Sequence, residues 1–135
     1  AISASTCTTH YIDEGCPLST SYYQTFVDTF WTSTDRAFVE SIYDLDEEAD
    51  LELIEEFYEQ QPEAFVNDYA ATNPVEDIAE SFTYFIFEKN PNSLKKISDQ
   101  KIHFFYQYPE LVVMRDRIRE SLGENIINSE FSLVK

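Results

Sequence analysis

The sequence predicts a mainly α-helical fold, a compact domain of about five helices, and three observations favour this class. Only 2 of the 135 residues are glycine, so few positions suit the left-handed turns of tight β-hairpins. Apolar residues recur at helical spacing along most of the chain. The 11 Phe and 9 Tyr provide enough large side chains for one core. Because no linker or repeat divides the sequence, we expect one helical domain over residues 1–135.

Residues 1–18 are predicted to form an irregular arm, because they are polar and show little helical periodicity. The arm contains both cysteines, Cys7 and Cys16. A small loop closed by a disulfide would suit an exported protein. Two unrelated reduced thiols are the alternative, and the sequence leaves both open. The first residue, Ala1 rather than methionine, indicates a processed or truncated polypeptide.

Two helices are predicted after the arm. Ser19 or Thr20 can cap the first, which is expected to end near Trp31. The Ser- and Thr-rich residues 32–35 are predicted to break it, and a short helix near 36–43 follows. The apolar positions that predict the first helix are Tyr23, Phe26, Val27, Phe30 and Trp31.

The run from Asp44 to Asp50 is strongly acidic. Its alternating carboxylates resemble a calcium-binding loop, but the central glycine and the downstream spacing of that motif are missing. We interpret the run as a solvated connection or as the start of a helix over residues 50–60. A calcium-responsive protein built on residues 44–56 is the weaker alternative.

Three further helices complete the predicted fold. The first covers about residues 74–88. The second covers 93–107 after a turn at 90–93, and the third covers 109–122, with a proline at its start and Gly123 at its stop. The tail that follows is left unassigned. The residues predicted to face inward from the helices at 50–60, 93–107 and 109–122 are Leu51, Leu53, Ile54, Phe57, Tyr58, Leu94, Ile97, Ile102, Phe105, Tyr106, Leu111, Val112, Met114, Ile118 and Leu122.

The composition is strongly acidic, and this restricts the partners. With 9 Lys and Arg against 26 Asp and Glu, the formal net charge is −17. Such a charge argues against nucleic acid or an anionic membrane surface as a partner. It is most often a solubility device, and a cation-binding surface is the sharper alternative. No run of about 18 apolar residues occurs, so no membrane span is predicted.

The segment Tyr69–Phe82 has the features of a functional site. Asn73 is a good N-cap, a proline follows it, and Glu76 stands at the third helical position, a combination that predicts a helix start. Glu80 follows one turn later, so the two carboxylates share a helix face. For Glu76 the alternative is a purely local role, in which its side chain reaches back to the N-cap amide.

The predicted apolar arc of this helix separates its polar residues into two groups. Glu76 and Glu80 flank the edge of the arc, whereas Asp77, Ser81 and Glu88 are predicted to project away from it. Carboxylates beside a core rather than in water need partners, which favours a functional reading of the first pair. The residues of the arc are Val75, Ile78, Ala79, Phe82, Phe85 and Ile86.

This segment resembles part of the active site of zinc metallopeptidases of the anthrax lethal factor type and of the related Pro-Pro endopeptidases. In that group an HExxH helix supplies two His ligands and a general-base Glu, and a downstream helix supplies a third, carboxylate ligand. A looser similarity to bacterial, exported metallopeptidase-like proteins covers most of residues 15–120. The matching residues of the specific part are Tyr69, Thr72-Asn73 and Glu76-x-x-Ala79-Glu80-x-Phe82.

The resemblance implies a role for three of these residues. Glu76 corresponds to the third zinc ligand, Glu80 to the carboxylate that orients a ligand histidine, and Tyr69 to the hydroxyl that stabilises the oxyanion. Two His and one Glu leave a zinc position for an activated water, and a carboxylate on the remote ring nitrogen fixes the tautomer of a ligand His. The implied cofactor is zinc, and the implied substrate of the intact protein is a peptide or protein.

The sequence contains no HExxH motif. His10 and His103 lie far apart, and neither has a glutamate in the required frame; His103 is expected to be packed or at a helix surface. We therefore expect the chain to be the C-terminal part of a zincin-like catalytic domain of the HExxH…E (gluzincin) type. As this fragment it should bind zinc weakly or not at all and cleave nothing. The resemblance implies a secreted or cell-envelope location.

The alternative is a non-catalytic acidic helical module that binds a partner or a cation on a peptidase-derived scaffold. The peptidase hypothesis predicts an HExxH in the coding sequence shortly upstream of Ala1. The binding-module hypothesis predicts no such motif and indifference to the loss of Glu76. The sequence specifies neither the cleavage specificity nor the oligomeric state.

Overall fold

The computed structural model describes residues 4–42 and 47–123. Within these ranges the protein is mainly helical, as predicted, and a bridge between Ile12 and Gly15 is its one β-type pairing. The six α-helices of the described ranges are α1 (Tyr22–Phe30), α2 (Ser33–Ile42), α3 (Glu47–Gln60), α4 (Pro74–Phe87), α5 (Ile97–Phe104) and α6 (Pro109–Leu122). Short 3-10 helices lie at Ala4–Thr6, Pro62–Ala64, Tyr69–Thr72 and Phe105–Gln107.

The first two helices begin where hydroxyl side chains accept the first backbone amides. Ser21, rather than Ser19 or Thr20, caps α1, because its Oγ accepts from the amide of Gln24 at 3.0 Å. Residues 32–35, predicted to be a break, instead begin α2. The Oγ1 of Thr32 accepts from the amide of Asp35 at 3.0 Å, which favours helix at this point.

The later helices agree with the prediction in number, and α3 and α5 differ from it in length. The bounds of α4 and α6 are within a residue of those predicted. α5 is shorter than the predicted 93–107, because it begins at Ile97 and ends at Phe104 before a 3-10 turn. Gly123 has a φ of 79° at the end of α6, the left-handed region that glycine tolerates best.

The core is a cluster of aromatic rings between α1, α4 and α5. Phe26, Phe85 and Phe105 are almost completely buried in it. The ring centroids of Phe85 and Phe105 are 5.4 Å apart, and those of Phe26 and Phe104 are 5.4 Å apart with an edge-to-face arrangement. Such packing stabilises the domain by apolar burial and adds a specific ring geometry.

α6 packs on α4 through a stripe that contains two arginines. The Arg115 Nε donates to the carbonyl of Phe85 at 2.7 Å, and Arg119 donates to that of Ile86 at 2.9 Å. These bonds satisfy carbonyls at the C-terminal end of α4, where positive charge is favoured. Met114 and Leu122, which were predicted to pack, are exposed instead.

Three other residues predicted to face inward are also exposed. Leu51 on α3 is 63% exposed, and Leu94, before α5, and Ile97, its first residue, are each 44% exposed. None of the helices in residues 4–42 and 47–123 has the length and apolar character needed to cross a membrane. Residues 44–46 of the acidic run that resembles a calcium loop, and the tail after Gly123, lie outside the described residues, whereas residues 47–50 of the run begin α3.

Candidate functional site

Tyr69 and Glu76 line one groove between α3 and the start of α4. Its volume is about 990 Å³, and its walls carry apolar side chains from α3 together with several carboxylates. Tyr69 is 68% exposed, and Glu76 is exposed as well. The structure therefore brings two of the three predicted site residues to the same solvent-accessible surface. The residues that line the groove are Leu51, Ile54, Glu55, Tyr58, Glu59, Asp68, Tyr69, Thr72, Asn73 and Glu76.

Two side chains hold the N-terminal end of the turn that carries Tyr69. The carboxylate of Asp68 accepts from the Tyr69 amide at 3.0 Å, and the Asn67 Oδ1 accepts from the Ala70 amide at 3.0 Å. Ala70 and Ala71 are fully buried. Their small side chains allow this 3-10 turn to pack closely on α4, and the neighbouring tyrosine is then directed to the surface.

Glu76 occupies the first turn of α4. The Asn73 Oδ1 accepts from the Glu76 amide at 2.9 Å, and Pro74 follows at the first helical position, so the predicted N-cap is confirmed. The Glu76 side chain extends from the capped turn into the groove. A negative charge is favourable here because the N-terminal end of a helix dipole is positive.

Glu80 lies one turn further along α4 and is half-buried. Its Oε2 accepts from the Asn67 Nδ2 at 2.9 Å. The same asparagine caps the turn that carries Tyr69, so one side chain connects two of the predicted site residues.

The carboxylate that is buried is Asp77, contrary to the prediction. Asp77 and Ser81 were expected to project away from the core, yet both are 0% exposed. The Asp77 Oδ2 lies 2.7 Å from the Lys101 Nζ and accepts from the Trp31 Nε1 at 2.8 Å. Ser81 donates to the Asp77 Oδ1 at 3.4 Å. The prediction failed because the cation and the indole that contact Asp77 belong to segments outside α4, and only the Ser81 hydroxyl comes from α4 itself.

Lys101 completes this buried cluster from α5. It is 2% exposed, and its Nζ also donates to the carbonyl of Ala64 at 2.6 Å. The ring centroid of Phe65 lies 4.0 Å from the same nitrogen, a cation–π contact. Burial raises the pKa of Asp77 and lowers the pKa of Lys101, because both charged forms lose solvation. The contact between the two groups opposes both shifts.

The sequence carried a signal for this cluster. Ser98, Lys101, Ile102 and Phe105 stand at helical spacing, so the lysine lies on the buried stripe of its own helix. A lysine in such a stripe requires an anionic or carbonyl partner.

The histidines lie away from each other. His10 is half-buried, with its Nε2 2.9 Å from the Glu40 Oε1 and its Nδ1 2.5 Å from the Tyr23 hydroxyl. It lines a second cleft, of about 440 Å³, which Glu76 also borders. His103 is exposed on α5, in keeping with its expected surface position. No group of three or more His, Cys, Asp or Glu in the described parts of the chain is arranged to hold a metal ion.

A disulfide closes the arm, and His10 attaches it to the helices. A disulfide joins Cys7 to Cys16 and closes a loop that contains His10. The amide of His10 donates to the Gln24 Oε1 at 2.8 Å, which fixes the loop against α1. Of the two alternatives that the sequence left open for the cysteines, the structure has the bonded one.

Comparison with known proteins gives no relative for this chain. No protein family, no curated protein and no solved structure matches it. Its function is therefore inferred from the residues and geometry described above.

Proposed function

We propose that this chain supplies the downstream part of the catalytic site of a zinc metallopeptidase of the HExxH…E type. In this proposal Glu76 is the carboxylate ligand, Tyr69 is the hydroxyl that stabilises the oxyanion, and Glu80 orients a ligand histidine. The observation that carries the proposal is the groove in which Tyr69 and Glu76 lie together, open to solvent. Two residues with complementary roles in peptide hydrolysis share a surface large enough for a peptide.

The residues present fit one part of a zinc site. Glu76 offers an exposed carboxylate oxygen, which is a common zinc ligand. The other two ligands of the proposed type are histidines of the HExxH helix, which the proposal places upstream of Ala1. Bound there, zinc would lower the pKa of a water molecule that attacks the peptide carbonyl.

The side chains of the chain itself have distinct tasks. The exposed Tyr69 hydroxyl would donate a hydrogen bond to the carbonyl oxygen of the scissile peptide as negative charge develops on it. Glu80 would accept from the remote ring N–H of a ligand histidine and so fix its tautomer. Its bond to Asn67 supports this role, because it holds the carboxylate in one position.

The experiment is to sequence the gene upstream of the Ala1 codon and to express the longer polypeptide. We expect an HExxH motif, cleavage of peptides, loss of cleavage with a chelator and recovery with zinc. Tyr69→Phe should lower kcat by about 10²–10³-fold, since one oxyanion donor is lost, with the zinc content unchanged. Tyr22→Phe, a matched change at an exposed tyrosine outside the groove, should retain full activity. The absence of the motif, or full activity in Tyr69→Phe, would overturn the proposal.

A second candidate function is a non-catalytic binding module. The observation that favours it is the apolar surface in the groove, where Leu51 is 63% and Tyr69 is 68% exposed. Exposed apolar side chains in a concave surface are typical of interaction sites. This candidate predicts a coding sequence without HExxH and a ligand affinity that Glu76→Gln leaves unchanged but Leu51→Ala reduces.

A further inference from the structure

The buried cluster around Asp77 connects four separate segments beneath the groove. Asp77 belongs to α4, Lys101 to α5 and Trp31 to the end of α1, while the carbonyl of Ala64 belongs to the 3-10 helix that precedes Tyr69. Each contact is a directional hydrogen bond or ion pair at 2.6–2.8 Å. The cluster thus fixes the segments in orientation as well as in distance.

The cluster is connected to both Glu76 and the turn that carries Tyr69. On one side, Asp77 directly follows Glu76 on α4. On the other side, Lys101 holds Ala64, and the chain then runs three residues to Asn67. Asn67 caps the turn of Tyr69 and donates to Glu80. Hydrogen bonds and three residues of chain therefore link the buried pair to the turn that carries Tyr69.

We propose that Asp77 and Lys101 are positioning residues, which hold the Tyr69 turn against the first turn of α4 and so set the geometry of the groove. This inference rests on the proposed function for its catalytic consequence, but the positioning itself is a property of this chain alone. Neither residue is exposed to the groove, so their effect on a substrate is indirect.

A purely stabilising role for the pair predicts a different outcome. Well-packed apolar residues of similar volume often replace a buried ion pair without loss of stability. Apolar packing is not directional, however, and cannot hold the Ala64 carbonyl in place. A double variant with apolar residues therefore separates stability from positioning.

The test compares Asp77→Leu/Lys101→Met with the parent chain by amide hydrogen exchange. We expect the Ala70 and Ala71 amides to exchange about tenfold faster relative to amides inside α6, since the loss of one charged hydrogen bond changes a local opening constant by about this factor. Ile102→Ala is the matched control on α5, at a position that is 6% exposed. It should lower stability and accelerate both sets of amides by the same factor.

An unchanged ratio between the two sets of amides in the double variant would overturn the proposal. If the double variant does not fold, Trp31→Phe decides the question, because it removes the indole donor from Asp77 and leaves the pair of Asp77 and Lys101 in place. We then expect the Ala70 and Ala71 amides to exchange faster relative to those of α6, by a smaller factor than in the double variant. An exchange ratio equal to that of the parent would again overturn the proposal.

The same double variant in the longer polypeptide tests the catalytic consequence. A positioning role predicts a lower kcat with little change in KM, and a smaller effect of Tyr69→Phe in this background than in the parent, because the two changes act on one geometry. Additive effects of the two changes would contradict it. If the longer polypeptide is not a peptidase, the hydrogen-exchange result still tests the positioning role. If it is an active peptidase and the exchange at Ala70 and Ala71 relative to α6 is unchanged in the double variant, only the positioning role is overturned.

Discussion

Two neighbouring carboxylates on α4 illustrate how differently one helix uses the same chemical group. Glu76 is exposed and faces the groove, whereas Asp77 is completely buried among an ammonium, an indole and a hydroxyl. The buried carboxylate holds the helix in place, and the exposed one is available for a ligand. In this molecule the outward face of α4 carries the candidate chemistry, and the inward face carries the groups that determine its geometry.

The largest expected effect comes from breaking the inward face. Lys101→Met leaves the Asp77 carboxylate buried without its cation, so the free energy of unfolding should fall by about 3–5 kcal/mol. Glu76→Gln, on the outward face, should change it by no more than about 0.5 kcal/mol. Urea denaturation of both variants measures the difference. Equal losses of unfolding free energy in the two variants would show that the inward face does not stabilise the fold more than the outward face.

An intermediate loss of stability is expected at Asn73, the residue that caps the N-terminus of α4. Asn73→Ala removes the side chain that accepts from the Glu76 amide and should cost about 1 kcal/mol of stability. The control is Asn92→Ala in the exposed turn before α5. Thermal unfolding should separate the two variants. If Asn73→Ala matches the control, the cap contributes nothing to the start of α4.

The smallest effect is expected at a solvent-exposed carboxylate far from either face. The Tyr22 hydroxyl donates to Glu110 at 2.6 Å, and this bond holds the pKa of Glu110 below its usual value. A carboxyl whose pKa is lower in the folded state stabilises the fold at any pH above its usual pKa. This stabilisation is lost as the pH falls through the folded-state pKa.

Tyr22→Phe should therefore raise the pKa of Glu110, with little change of stability at neutral pH. Titration of the Glu110 carboxyl carbon by NMR measures the shift, and Glu120, also exposed on α6, serves as the control. A Glu110 pKa unaffected by the change would mean that the bond is not formed in solution.

The beginnings and ends of α4 and α6 could be predicted because local chemistry determines them. Asn73 with Pro74 begins one helix, and Pro109 with Gly123 bounds the other. The start of α2 was missed although its signal is also local. Thr32 was interpreted as part of a break, and it is the hydroxyl that accepts the first amide.

The faces of α4 could not be assigned from its own sequence. The apolar arc placed Ala79 inward and Asp77 and Ser81 outward, but Ala79 is exposed and the two polar residues are buried. The prediction assumed that polar residues prefer water. This assumption fails when another element supplies a hydrogen-bonding or charged partner. Lys101 is that partner, and it belongs to a helix whose packing on α4 the sequence does not specify.

The candidate site was predictable to the extent that its residues are close in the chain. Tyr69 and Glu76 line one groove, and Glu80 stands one turn further along α4. The part played by Asn67 was not foreseen, because its two hydrogen bonds connect a turn and a helix. The predicted roles of the three site residues remain predictions.

Zinc content in the longer polypeptide tests the central proposal most directly. Glu76→Gln should lower the bound zinc well below one equivalent after dialysis, because one of three protein ligands is lost, with the melting temperature of the metal-free protein unchanged. Glu55→Gln, at the opposite wall of the same groove, should retain the full equivalent. Zinc retained at full stoichiometry in Glu76→Gln would contradict the assignment of this carboxylate as a ligand.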